Sequence, residues 1–206
     1  MPLYRRSLLA LVGAAAATPA LAPALAAAQT PNPLTTDRAL GNPKAPVTVQ
    51  EYFSLTCTHC AAFANETFPE VKQKLIDTGK VRWIFRDFPL DQVALMAEMV
   101  ARALPPERYE PFLMALFASQ DRWAFAQGVN STAEVQKMAE LAGMSPDTFQ
   151  KTINDKALRS FILTEQAAAE KKYNVDSTPT FVINGKPYPG ERSFDAFAKL
   201  VQEAAS

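Results

Sequence analysis

This chain of 206 residues has very little histidine or cysteine: one of the first and two of the second. Two cysteines cannot make the multiply bridged scaffold of a small secreted domain. A closed zinc site normally takes four ligands, and there is no second cysteine pair or second histidine to complete one. Excess charge of one sign is missing as well. The 21 basic residues match the 21 acidic ones, which leaves no electrostatic footprint for nucleic acid. Met-rich and His-rich tracts are absent, and so is any internal repeat beyond the N-terminal segment. The longest apolar run, residues 7–17, is too short to span a bilayer stably. Proline is the exception to this scarcity, but seven of the 16 lie before Val47. What remains has the length and apolar content of one domain with a real core.

The scarce residues are gathered in one place, Cys57-Thr58-His59-Cys60. Before them, Val47–Phe53 alternates like a strand and is β-branched at its start. After them, residues 61–77 place Phe63, Phe68, Val71 and Leu75 at near-helical spacing. The motif therefore lies at a strand-to-helix turn. There a thiol faces unpaired backbone N–H groups and the positive end of the helix dipole, both of which favour its thiolate. Pro69 predicts a kink or two helical pieces.

The N-terminus reads as a signal peptide over residues 1–28. Arg5 and Arg6 form a basic start, an apolar stretch follows, and Ala26-Ala27-Ala28 precede Gln29 as a cleavage site. Removal of that segment, which holds two arginines and no acids, leaves 19 basic and 21 acidic residues. Residues 29–46 carry Pro, Asn, Thr and Gly without apolar periodicity and read as a leader into the fold.

A second strand is expected over residues 81–86. Strand, helix and strand with short connections make a βαβ unit with parallel strands. Helices are expected over residues 90–104 and 107–120, with Pro105-Pro106 between them. A further helix should open at a Ser131-x-x-Glu134 capping box and close at Gly143. Another starts at Ser145-Pro146, and the longest covers residues 155–173. Strand then returns at residues 180–183, with Asn184-Gly185 as a type I′ hairpin turn into Lys186-Pro187-Tyr188. Ser193 caps a last helix. The fold class is α/β: a βαβ unit, a helical block and a ββα unit that share one mixed sheet. Residues 89–173 are far too long for an ordinary crossover and read as an inserted helical subdomain. The main domain takes residues 47–88 and 174–206.

Cys57 lies nearer the helix start and is the candidate nucleophile; Cys60, one turn deeper, is placed to resolve a mixed disulfide. The alternatives at this point are an inert local disulfide and a Cu(I) site of two thiolates. His59 beside Cys57 would depress its pKa as a cation or donor. Glu51, on the strand leading into the motif, is either buried near Cys60, where it could take its proton, or an outward-facing acid. Pro179 after Thr178 reads as a strand-start proline, and X-Pro bonds are mostly trans.

Taken together these residues resemble the thioredoxin superfamily, specifically its DsbA-like branch, from about Leu34 onward. The resemblance is carried by Gly41-Asn42-Pro43-Lys44-Ala45-Pro46-Val47, by Glu51-Tyr52-Phe53-Ser54 leading into Cys57-Thr58-His59-Cys60, by the helical insertion, and by residues 177–185, Ser-Thr-Pro-Thr-Phe-Val-Ile-Asn-Gly. It implies a thioredoxin fold and a protein thiol:disulfide oxidoreductase of the bacterial periplasm. It implies that Pro179 is cis and faces the cysteines, that the backbone of Thr178 pairs with the substrate chain, that Glu51 is buried beneath the motif and that His59 stabilises the thiolate. The expected activity introduces disulfides into reduced exported proteins. The reactive group would be the Cys57–Cys60 disulfide itself, with no other cofactor and no metal. A DsbB-like membrane partner would reoxidise it, and the protein would act as a monomer with no nucleic acid. A disulfide isomerase or reductase is the alternative, and a copper-binding protein a third reading.

Overall fold

The computed structural model describes residues 32–206, so the expected signal peptide lies outside the described residues. Five strands form one mixed sheet in the order β1-β3-β2-β4-β5. They are β1 (Arg38–Leu40), β2 (Val47–Phe53), β3 (Val81–Asp87), β4 (Thr180–Ile183) and β5 (Lys186–Pro189). The central pair β2 and β3 is parallel, as the βαβ reading requires, and the other pairings are antiparallel. Asn184 and Gly185 both take positive φ, 45° and 88°, the pair of angles a type I′ turn needs.

The helix after the Cys motif is continuous but not uniform. α1 (Thr58–Ala62) runs into a π segment (Phe63–Thr67), then α2 (Phe68–Val71) and a second π segment (Lys72–Ile76). Pro69 sits at the start of α2 and has no N–H to donate. The wide turn ahead of it closes instead through the Phe68 N–H, which bonds back to the Phe63 carbonyl. The helix widens ahead of this proline and continues without a break, where two separate pieces were one of the two expectations.

Six helices lie between β3 and β4: α3 (Gln92–Ala103), α4 (Pro106–Ala118), α5 (Gln120–Trp123), α6 (Ser131–Leu141), α7 (Pro146–Ile153) and α8 (Lys156–Tyr173). α3 packs against α4, α6, α7 and α8, because Ala94, Leu95, Ala97, Met99, Val100 and Ala101 bury it on nearly all sides. α9 (Phe194–Ala205) closes the chain and is capped by Ser193, which accepts from the Ala196 N–H. No helix of the described residues is long and apolar enough to cross a membrane.

Two expectations need correction. Residues 29–46 are not a leader throughout: Arg38–Leu40 pair with Phe85, Ile84 and Trp83 as an edge strand. A three-residue strand has no periodicity to detect, and its first residue is an arginine. That side chain is buried, donates to the Leu104 and Arg102 carbonyls and lies over the Tyr109 ring at 5.3 Å. The capping box at Ser131 is also displaced by one residue. Asn130 is the N-cap, accepting from Ala133 N–H at 3.1 Å, and Glu134 pairs with Lys137 at 2.7 Å. Asn is as good a cap as Ser.

The core beneath the motif is aromatic. Phe63, Phe68, Trp83, Phe85, Phe181 and Phe197 pack with ring centroids 4.6–6.5 Å apart. On the other face Tyr52, Phe88 and Val182 pack against Ala169 and Val175. β2 is thus covered on both sides and carries the motif at the end of a rigid strand.

Candidate active site

Cys57 is the N-cap of α1, in extended conformation at φ −87° and ψ 120°. Its N–H donates to the Ser54 carbonyl at 3.1 Å, and its own carbonyl accepts from Ala61 N–H at 3.1 Å. This local turn leaves Cys57 8% exposed and Cys60 fully buried. Both are free thiols.

Across from them, 121 residues on, the Thr178–Pro179 peptide bond is cis. The Cys57 Sγ donates to the Thr178 carbonyl at 3.2 Å. Gly190 N–H binds the Pro179 carbonyl at 2.8 Å and Thr180 Oγ1 binds the Ser177 carbonyl at 2.7 Å, which fixes this loop against the start of β4.

The two thiols are driven apart electrostatically. A hydrogen bond from the Cys60 side chain pulls the Cys57 thiol down to about 5; partial burial opposes this, and the Thr178 side chain with the backbone N–H groups of Cys60 and His59 adds to it. Cys60 is pushed well up, first by burial and then by its bond and charge interaction with Cys57, and by Glu51. Two neighbouring thiols therefore differ strongly in acidity, the condition for one to react and the other to wait.

Glu51 is buried, on the same face of β2 as Val47, Val49 and Phe53. Burial raises its carboxyl to about 8, against a hydrogen bond from Trp83 Nε1 at 3.2 Å that lowers it. It is a neutral acid at pH 7, close enough to influence Cys60. His59 is placed otherwise. Its imidazole is largely exposed, and Nδ1 lies 3.1 Å from Glu191 Oε2 in the loop before α9. The backbone N–H of His59, not its ring, contributes to lowering the Cys57 thiol.

Further residues at this site escape a sequence reading. Gln120 and Glu98 bond the backbone of Leu55 and Cys57. Asp91 caps α3 through Ala94 N–H and accepts from Thr56 Oγ1 at 2.7 Å. Ser54 Oγ accepts from Leu90 N–H at 3.3 Å. The one local signal is Glu98, an acid amid the buried run from Ala94 to Val100. Among the described residues no three His, Cys, Asp or Glu side chains gather as a metal site.

Comparison with known proteins agrees with this geometry. A thioredoxin family model matches residues 34–203. The chain belongs to the thioredoxin family, in its DsbA-like branch. It is 30% identical over 82% of its length to a protein of Rickettsia conorii provisionally named a protein-disulfide oxidoreductase, and spans about 60% of that relative. Among solved structures, Wolbachia pipientis alpha-DsbA1 superposes with a TM-score of 0.76 at 35% identity, covering 82% of this chain and 91% of that one. The thiol-disulfide exchange protein alpha-DsbA2 of the same organism gives 0.64 at 27% identity, with 80% and 85% covered.

Proposed function

We propose that this DsbA-like protein is a thiol:disulfide oxidoreductase that donates its Cys57–Cys60 disulfide to reduced exported proteins. The observation that carries the reading is the split between the thiols. With Cys57 pulled down to about 5, its thiolate is a good leaving group and the reduced form is favoured, so the disulfide is an oxidising one.

The exchange runs in two steps. A substrate thiolate attacks the Cys57 Sγ, the Cys57–Cys60 bond breaks, and Cys60 leaves with the electron pair. Glu51, protonated up to about 8, is the acid that supplies the Cys60 sulfur with a proton. A second substrate thiolate then attacks the substrate sulfur of the mixed disulfide, and Cys57 leaves as thiolate. The substrate has lost two electrons to the motif. Thr178, whose carbonyl already meets the Cys57 sulfur, offers backbone to an extended substrate segment beside Pro179. His59 acts on the thiolate through its backbone N–H.

This reading places the protein in the periplasm after removal of residues 1–28, as a monomer recharged by a DsbB-like membrane partner. Equilibration of the purified protein with glutathione tests the direction. The expected potential lies well above that of thioredoxin; a value near roughly −270 mV refutes disulfide donation.

A further inference from the structure

We propose that Gln120 and Glu98, both from the helical block, are positioning residues that set the reactivity of Cys57 by clamping the backbone on either side of the reactive turn. The inference rests on the thiol-exchange reading above and extends it to side chains far off in sequence.

Leu55 is fully buried two residues before the nucleophile, and side chains answer both of its main-chain polar groups. Its N–H donates to Glu98 Oε1 at 3.2 Å, and its carbonyl accepts from Gln120 Nε2 at 2.8 Å. The same Gln120 amide donates to the Cys57 carbonyl at 3.0 Å. A side-chain amide has two N–H bonds, and here each takes a different carbonyl of the loop. The Cys57 carbonyl also accepts the Ala61 N–H of the first helical turn. Both of its lone pairs are then occupied, and the orientation of the Cys57–Thr58 peptide is set.

That orientation governs the chemistry. The peptide after Cys57 leads directly into the backbone N–H groups of His59 and Cys60, which help to lower the Cys57 thiol. Hold the peptide and the donors stay aimed; release it and they turn away. Burial sharpens the case. Gln120 and Glu98 are both buried, and the second carboxyl oxygen of Glu98 has no partner. An acid is costly to keep in such a place unless something needs it, and the group it meets is the Leu55 N–H.

The test is a pH titration of thiolate absorbance in the reduced protein, with glutathione equilibration and a melting curve alongside. Gln120→Met keeps the volume and loses both donors. Its Cys57 midpoint is expected to rise by about one unit, and the glutathione equilibrium to shift about tenfold towards a less oxidising disulfide, which is ~30 mV. Glu98→Met is expected to move the midpoint the same way, while Glu98→Gln, which keeps an acceptor for Leu55, stays at the wild-type value. If Gln120→Met does not fold, Gln120→Asn, one methylene short of the two carbonyls, takes its place. A folded Gln120→Met, or Gln120→Asn in its place, with the wild-type midpoint and equilibrium, whatever its melting temperature, overturns the clamp. That outcome leaves disulfide donation standing. A thioredoxin-like potential in the wild type removes disulfide donation and leaves the comparison of midpoints intact.

Discussion

Replacing Glu51 with glutamine gives a pH-dependent gain in stability whose size follows from its burial. The carboxyl goes from an ordinary 4.5 in the unfolded chain to about 8 in the fold. Between those values the folded state keeps a proton that the unfolded chain has released. Stability therefore falls as pH rises through this window, and the loss is complete above about 8. Each unit corresponds to ~1.4 kcal/mol, so the full penalty is about 5 kcal/mol. Glutamine is nearly the same shape, stays neutral and still accepts from Trp83 Nε1. Urea unfolding of reduced wild type and Glu51→Gln from pH 4 to pH 9 gives the difference directly, and the contributions of the two thiols cancel in it to first order. The curves should coincide near pH 4 and diverge steadily to a plateau above pH 8, with the variant more stable. A constant difference across the range refutes a neutral buried acid at this position, and with it the proton route from Glu51 to Cys60.

Three other outcomes are expected. The Cys57 thiol is depressed from 9 to about 5, so its contribution is complete above 9 and is lost as pH falls through 5; at pH 7 the thiolate stabilises the reduced fold by about 3 kcal/mol. Denaturant unfolding of reduced protein should show this gain at pH 7 and its disappearance below pH 5. Thiolate absorbance should report a larger rise in the Cys57 midpoint for Cys60→Ala than for His59→Ala, because the imidazole faces Glu191; the reverse order means that the ring reaches the sulfur in solution. Arg102→Leu leaves Asp87 buried without its ion-pair partner and should cost about 3–5 kcal/mol in unfolding, with much of that recovered in the double variant Arg102→Leu, Asp87→Leu.

The strand into the motif, the hairpin and the long helices were legible because their causes are local. Alternation marks Val47–Phe53, Asn184-Gly185 dictates its own turn, and a capping serine or aspartate stands before α7, α8 and α9. Glu51 was ambiguous for a physical reason. β2 is covered on both faces, so Tyr52 and Phe53 are both buried and alternation cannot say which side an acid takes. β1 was missed because three residues hold no pattern and a buried arginine looks like a surface one. The partners of the reactive turn were illegible for a different reason. Glu98 and Gln120 meet Leu55 across 43 and 65 residues, and Glu191 meets His59 across 132. What the sequence could carry was the chemistry of the motif, since a helix start favours the thiolate of the cysteine that caps it. It could not carry the aim of the donors around that thiol. That is set by side chains of the helical block on the backbone of the thioredoxin unit, and it gives the insertion a chemical part in the site beyond covering the sheet.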